Sequence, residues 1–144
     1  MARILIVDDS ITYRQLLKKI LEDGGHTIVG EAGDGMIGIE MFKKLQPDIV
    51  TMDITMPNMS GLAALKWILE YDPSAIVIMV SASAQSAKIN EATELGAFDF
   101  LPKPFESKKV LDVVDNLLNA VQNADNFDDE LDLEDFEFLE EFRS

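Results

Sequence analysis

Asp8 and Asp9, Asp53, Ser81 and Lys103 are the residues of this chain whose types and placing could do chemistry together. Each follows a short apolar run: Ile4 to Val7, Asp48 to Met52, Ala75 to Val80, and Asp99 to Leu101. If those runs are strands of one parallel sheet, their carboxyl ends lie side by side and gather these side chains into one site. Carboxylates crowded within a few ångström raise one another's pKa, and a bound hard cation removes the conflict. Mg²⁺ suits such a site because it prefers oxygen ligands and keeps water in its octahedron. Asp9 and Asp53 would be direct ligands, Asp8 would act through water, and a main-chain carbonyl near Thr55 would complete the set. Asp53 is the candidate nucleophile, since a carboxylate can form an acyl phosphate. Lys103, together with the metal, would neutralise the transferring phosphoryl oxygens. The Ser81 hydroxyl would then donate to a phosphoryl oxygen after transfer. Singly, an Asp-Asp pair after a strand is an ordinary helix N-cap and Lys103 an ordinary solvated lysine. Their joint placement is what points to a site.

The elements that must position them alternate along the chain. Ile4 to Val7 is a continuous apolar run, as expected of a central parallel strand buried on both faces. A helix follows with Ile11, Leu16, Leu17, Ile20 and Leu21 as its apolar positions, stopped by Gly24-Gly25. His26 to Ala32 reads as a second strand, with His26 facing solvent at its start. Met36 to Leu45 reads as a second helix, ended before Gln46-Pro47. After the strand Asp48 to Met52, a helix from Gly61 to Tyr71 buries Leu62, Leu65, Ile68 and Leu69, and Trp67 on it reads as packing. Ala75 to Val80 is the fourth strand. The fourth helix, Ala84 to Leu95, offers little apolar area and should be loosely held, which is where a conformational switch costs least. Phe98 to Leu101 is a short fifth strand. The last helix, Ser107 to Val121, carries Val110, Leu111, Val114, Leu117, Leu118 and Val121 on one face. Repeated strand-then-helix units with short connections imply an α/β fold, a doubly wound five-stranded parallel sheet covered on both sides.

Composition narrows the function. The 144 residues suffice for one domain with a proper core, and 47% are hydrophobic. No apolar run approaches the roughly 20 residues of a membrane span, and none reads as a signal peptide. With no Cys, a reducing compartment is expected, hence the cytoplasm. The net charge of −15 argues against nucleic acid, which needs clustered Lys and Arg. Residues 125–144 hold ten acidic residues and one basic one, a net of −9, against −6 for the rest. That shift marks a boundary near the polar stretch Gln122 to Asn126, giving a domain of residues 1–123 and an extension of 124–144.

The motifs Ile4-Leu5-Ile6-Val7-Asp8-Asp9-Ser10, Asp48 through Asp53 to Met56-Pro57, Gly61, Ser81-Ala82 and Lys103-Pro104-Phe105 resemble the signature of response-regulator receiver domains. The likeness runs from residue 3 to about 122, and the subgroup it most resembles is the single-domain CheY-type chemotaxis regulators. It implies the strand order 2-1-3-4-5, phosphorylation of Asp53 by a CheA-like sensor histidine kinase with Mg²⁺, and a cis peptide between Lys103 and Pro104. It also implies a switch coupling Ser81 to Phe100. Phe100 has no hydroxyl to offer a partner, so coupling would run through packing. The output face, on helix four, strand five and helix five, would include Lys88, Phe100, Lys108 and Lys109, and its partners would be a motor-switch protein or a phosphatase.

Other readings use the same residues. A stand-alone phosphorelay intermediate would pass the phosphoryl group to a His-phosphotransfer protein. Haloacid-dehalogenase-type phosphatases also use Asp, Ser/Thr, Lys and Mg²⁺, but need a second Asp two residues after the nucleophile as acid/base. Thr55 stands there and cannot do that work at neutral pH, so a signalling switch is expected rather than an enzyme. Flavodoxin-like binding needs amides and hydroxyls after strand one, where Asp8-Asp9 would repel a flavin phosphate. The extension interleaves its acids with Phe127, Leu131, Leu133, Phe136, Phe138, Leu139 and Phe142. It reads either as a disordered tail or as a docking segment, which either competes at the output face, within the subunit or between subunits, or recruits a partner of its own.

Overall fold

A computed structural model describes residues 1–82 and 86–130. Two compact units are distinguished, Met1–Leu111 and Asp112–Ser144, and each is taken by itself. The elements are β1 (Arg3–Val7), α1 (Ile11–Asp23), β2 (Thr27–Ala32), α2 (Gly35–Leu45), β3 (Ile49–Asp53), α3 (Gly61–Tyr71), β4 (Val77–Ser81), α4 (Ser86–Leu95), β5 (Asp99–Pro102) and α5 (Ser107–Glu130). All strand pairs are parallel, in the order β2-β1-β3-β4-β5. The expected doubly wound α/β topology is therefore present.

Two-sided burial explains the apolar runs. Leu5, Val7, Val50, Met52, Val77 and Met79 join a core with Ile39, Phe42, Ala64, Leu65 and Ile68 of α2 and α3. The alternate residues Ile4, Ile6, Ile49, Ile78 and Leu101 are also fully buried. Burying one such side chain contributes roughly 1.5–3 kcal/mol, so β1, β3 and β4 anchor the site above them. Helix starts are set by side-chain caps: Ser10 Oγ accepts from Tyr13 N at 3.2 Å, Asp34 Oδ1 from Ile37 N at 2.8 Å, and Ser60 Oγ from Ala63 N at 3.2 Å. Ser10 and Ser60 thus fix where α1 and α3 leave the loops that carry Asp9 and Thr55.

Several expectations are corrected by packing. Ile11 and Leu16 are 62% and 41% exposed, because the buried stripe of α1 is Leu17, Ile20 and Leu21 at helical spacing. His26 does not face solvent; it is buried, and its Nδ1 accepts from Ala2 N at 3.2 Å, tying the chain start to the turn before β2. Trp67 is half exposed, and what packs on it is the Lys43 ammonium, 4.7 Å from its ring centroid. α5 does not stop at Val121 but runs through the polar stretch to Glu130. No Pro or Gly interrupts that stretch, so helix propagation continues at one bond per residue. Strand 4 starts at Val77 instead of Ala75, and strand 3 reaches Asp53. In α4, Ala92 is the one buried residue among those described, in keeping with the small apolar area read from its sequence. The expected start of that helix at Ala84 lies outside the described residues, as does the sequence from 131 onward.

Gly61 couples fold to site. Its N–H donates to Ile54 O at 2.7 Å, so the loop after β3 folds back on the strand end. A Cβ at this position would penetrate the Asp53 carbonyl oxygen and come within 2.8 Å of Ile54 Cα. Both are backbone atoms that cannot rotate away. Gly61→Ala should therefore lose roughly 2–4 kcal/mol in urea denaturation; an unchanged midpoint would show that the loop gives way freely.

Candidate functional site

Strand register carries the key residues together. Val7 pairs with Met52, so Asp8 follows opposite Asp53, and Asp53 pairs with Val80 immediately before Ser81. Ser81 pairs with Pro102, which brings in Lys103, and Lys103 N donates to Ser81 O at 2.8 Å. Asp9, Ser10, Tyr13, Asp53, Thr55, Ser81, Ala82 and Lys103 line one cavity of about 450 Å³. The Lys103–Pro104 peptide is cis.

The charges are in direct contact. Lys103 Nζ lies 2.6 Å from Asp8 Oδ2 and 3.5 Å from Asp53 Oδ2, and its side chain is 5% exposed. Asp8 is fixed from its other side: its Oδ1 accepts from Ser10 N at 2.8 Å, and its carbonyl accepts from Arg14 Nη1. Arg14 in turn pairs with Glu31 of β2 at 3.6 Å. Burial pushes the Asp53 carboxyl up from its ordinary 3.8 to about 6; the Asp8 carboxylate adds to the rise, the Lys103 ammonium opposes it, and Asp9 raises it further.

Oxygen atoms of Asp8, Asp9 and Asp53 lie within 4.8 Å of one another. The donor set is all carboxylate, and one lysine cannot balance its charge, so the residues fit a hard divalent cation such as Mg²⁺. Thr55 is exposed and lines the same cavity. Ser81 is buried at the end of β4. Phe100 is half-buried against the core, and its partner in register is Met79. Of the expected output residues, Lys88 lies on α4, in a separate cavity with Lys66 and Glu91, whereas Lys108 and Lys109 are exposed at the start of α5.

Two residues of the site were missed by sequence reasoning. Tyr13 and Arg14 sit on the first turn of α1, where Tyr13 faces Lys103 and Arg14 holds the Asp8 carbonyl. The available signal was their spacing, since one helical turn beyond Asp9 returns the chain toward the strand ends.

The raised Asp53 pKa has a stability consequence. The folded chain binds a proton at pH values where the unfolded chain has lost it, so stability falls as pH rises from 3.8 to about 6 and stays lower above that window. In metal-free protein, Asp53→Asn should abolish this part of the pH dependence. It should also stabilise the chain by on the order of 1–2 kcal/mol at neutral pH. Equal pH slopes for the two proteins across the window would refute this assignment.

Comparison with known proteins agrees with the geometry. Residues 4–115 match the response regulator receiver domain family. Protein CcdB of Bacillus subtilis is 49% identical over 118 residues, covering 82% of this chain and 98% of its own. The chemotaxis protein CheY of Thermotoga maritima is 45% identical over 115 residues, covering 80% of this chain and 96% of its own. Among solved structures, the CheX–CheY–BeF3–Mg²⁺ complex from Borrelia burgdorferi aligns with a TM-score of 0.79 at 37% identity, covering 81% of this chain and 88% of that one. With its strand order, its acidic cavity and these relatives in agreement, the chain belongs to the response-regulator receiver family and is CheY-like in sequence and fold.

Proposed function

We propose that the chain is a phosphorylation-activated switch that takes a phosphoryl group onto Asp53 from a sensor histidine kinase. The observation that carries this reading is the contact of one buried ammonium, Lys103, with both Asp8 and Asp53. An Asp53 carboxylate oxygen attacks phosphorus, the P–N bond to the donor imidazole breaks, and the imidazole nitrogen keeps the electron pair and takes a proton. Asp8, Asp9, Asp53 and the Thr55 carbonyl would hold Mg²⁺, which when bound supplies positive charge to the phosphoryl oxygens. Lys103 adds a second cation on the same side and Ser81 a hydroxyl donor. Thr55 leaves the acyl phosphate without a carboxylate general base, so the product persists as a signal. The chain thereby acts as a switch and not as a phosphatase.

Incubation with a small phosphoryl donor and Mg²⁺ should add one phosphoryl group per chain, seen by intact mass. Asp53→Ala should take up none, and chelation should slow uptake by about tenfold or more. Labelling of Asp53→Ala, or uptake indifferent to chelator, would defeat the proposal. Continuous phosphate release from monoesters would instead favour a hydrolase.

The output, in this reading, is altered partner binding at the surface of α4, β5 and the start of α5, through Lys88, Phe100, Lys108 and Lys109, with Ser81 and Phe100 as the coupled pair. The relatives named for chemotaxis favour motor control and a cytoplasmic setting, and no helix among the described residues is long and apolar enough to cross a membrane. The partner would be a motor-switch protein or a phosphatase; a His-phosphotransfer protein is the outcome expected of a relay. The extension of residues 124–144 is proposed as an acidic amphipathic docking segment that imitates partner peptides. Truncation after Asn123 should then raise the affinity of phosphorylated protein for the partner recovered from extract. Equal affinity would remove the extension from the output.

A further inference from the structure

Lys103 has a third neighbour that the proposed chemistry does not use. Its Nζ lies 4.2 Å from the centroid of the Tyr13 ring, while Asp8 Oδ2 and Asp53 Oδ2 are 2.6 Å and 3.5 Å away. An ammonium over an aromatic face is attracted by the ring quadrupole, and more strongly where water is excluded. At 5% exposure the Lys103 side chain meets that condition. The ring is itself fixed. Its backbone N–H is held by the Ser10 cap at 3.2 Å, and the Phe105 ring lies 5.7 Å away at 56°. Tyr13 also lines the cavity together with Asp9, Asp53 and Ser81.

We infer that Tyr13 is a positioning residue, whose ring holds the Lys103 ammonium in place to meet the phosphoryl group. Lysine carries a compact charge on a flexible four-carbon stem, so the carboxylates alone fix its head only while their charge is free to attract it. The aromatic face adds an attraction that does not depend on the charge state of Asp8 or Asp53. Tyr13 thus keeps the cation on the cavity through the change of charge that phosphorylation brings. The hydroxyl plays no part in this role, and the ring is sufficient. The inference rests on reading Asp53 as the phosphoryl acceptor.

The test compares Tyr13→Phe with Tyr13→Leu in the full-length chain. By NMR of metal-free, unphosphorylated protein, the Lys103 ε-methylene protons should be ring-current shifted in wild type and Tyr13→Phe, and lose that shift in Tyr13→Leu. With a small phosphoryl donor and Mg²⁺, the maximal phosphorylation rate should fall roughly 5- to 20-fold in Tyr13→Leu and stay within about twofold in Tyr13→Phe. In a Lys103→Met background the same Tyr13→Leu change should have no further effect, because the ring acts through the lysine. Tyr13→Met serves as the ring-free variant if leucine lowers the melting temperature. Equal losses in both lysine backgrounds, or a Tyr13→Phe defect as large as that of Tyr13→Leu, would overturn the inference. Should wild type accept no phosphoryl group at all, Asp53 as acceptor fails, and the Lys103 shift still decides whether the ring positions it.

Discussion

The contact of Lys103 with Asp8 and Asp53 is the interaction around which the rest of the molecule is arranged. Buried carboxylates this close to one another are costly unless a cation accompanies them. The lysine offsets part of that cost, and the raised Asp53 pKa shows that part remains. A site left with unbalanced negative charge favours whatever brings positive charge to it. The same imbalance that weakens the metal-free fold therefore prepares the cavity for a divalent cation.

Holding such charges together demands rigid neighbours, and the sheet supplies them. β1, β3 and β4 are buried on both faces, so their carboxyl ends have little freedom to separate. The loops are tied down as firmly: Gly61 folds the β3 loop back onto Ile54, and Ser81 O fixes Lys103 N. Arg14 clasps the Asp8 carbonyl while pairing with Glu31 of the edge strand β2. Against this frame α4 stands out, with Ala92 its one buried residue among those described. Rigidity around Asp53 and weak packing at a neighbouring helix suit the proposed switch, which converts a local charge change into a surface change.

Much of this was legible in the sequence because it depends on local pattern. Continuous apolar runs mark two-sided strands, and Gly24-Gly25 and Gln46-Pro47 end helices for backbone reasons. Asp8, Asp9, Asp53, Ser81 and Lys103 announce themselves by residue type at strand ends. What escaped were residues whose surroundings are set by distant chain. His26 looks like a surface residue until Ala2 is placed beside it, and no local pattern places Lys43 over the Trp67 ring. Tyr13 reads as one more aromatic on a helix, and nothing local says that a lysine from beyond β5 lies over it.

The sequence by itself determined the kinds of element, their order and the chemical types available at each strand end. These follow from hydrophobic periodicity, turn residues and side-chain chemistry, all of which act over a few neighbouring positions. Only the tertiary structure decided the distances. Whether Lys103 reaches both Asp8 and Asp53, how far burial lifts the Asp53 carboxyl, and which ring faces the ammonium depend on strand register and on side chains brought together from distant parts of the sequence. Electrostatic energies vary steeply with separation and with exclusion of water, and neither quantity is written in local sequence.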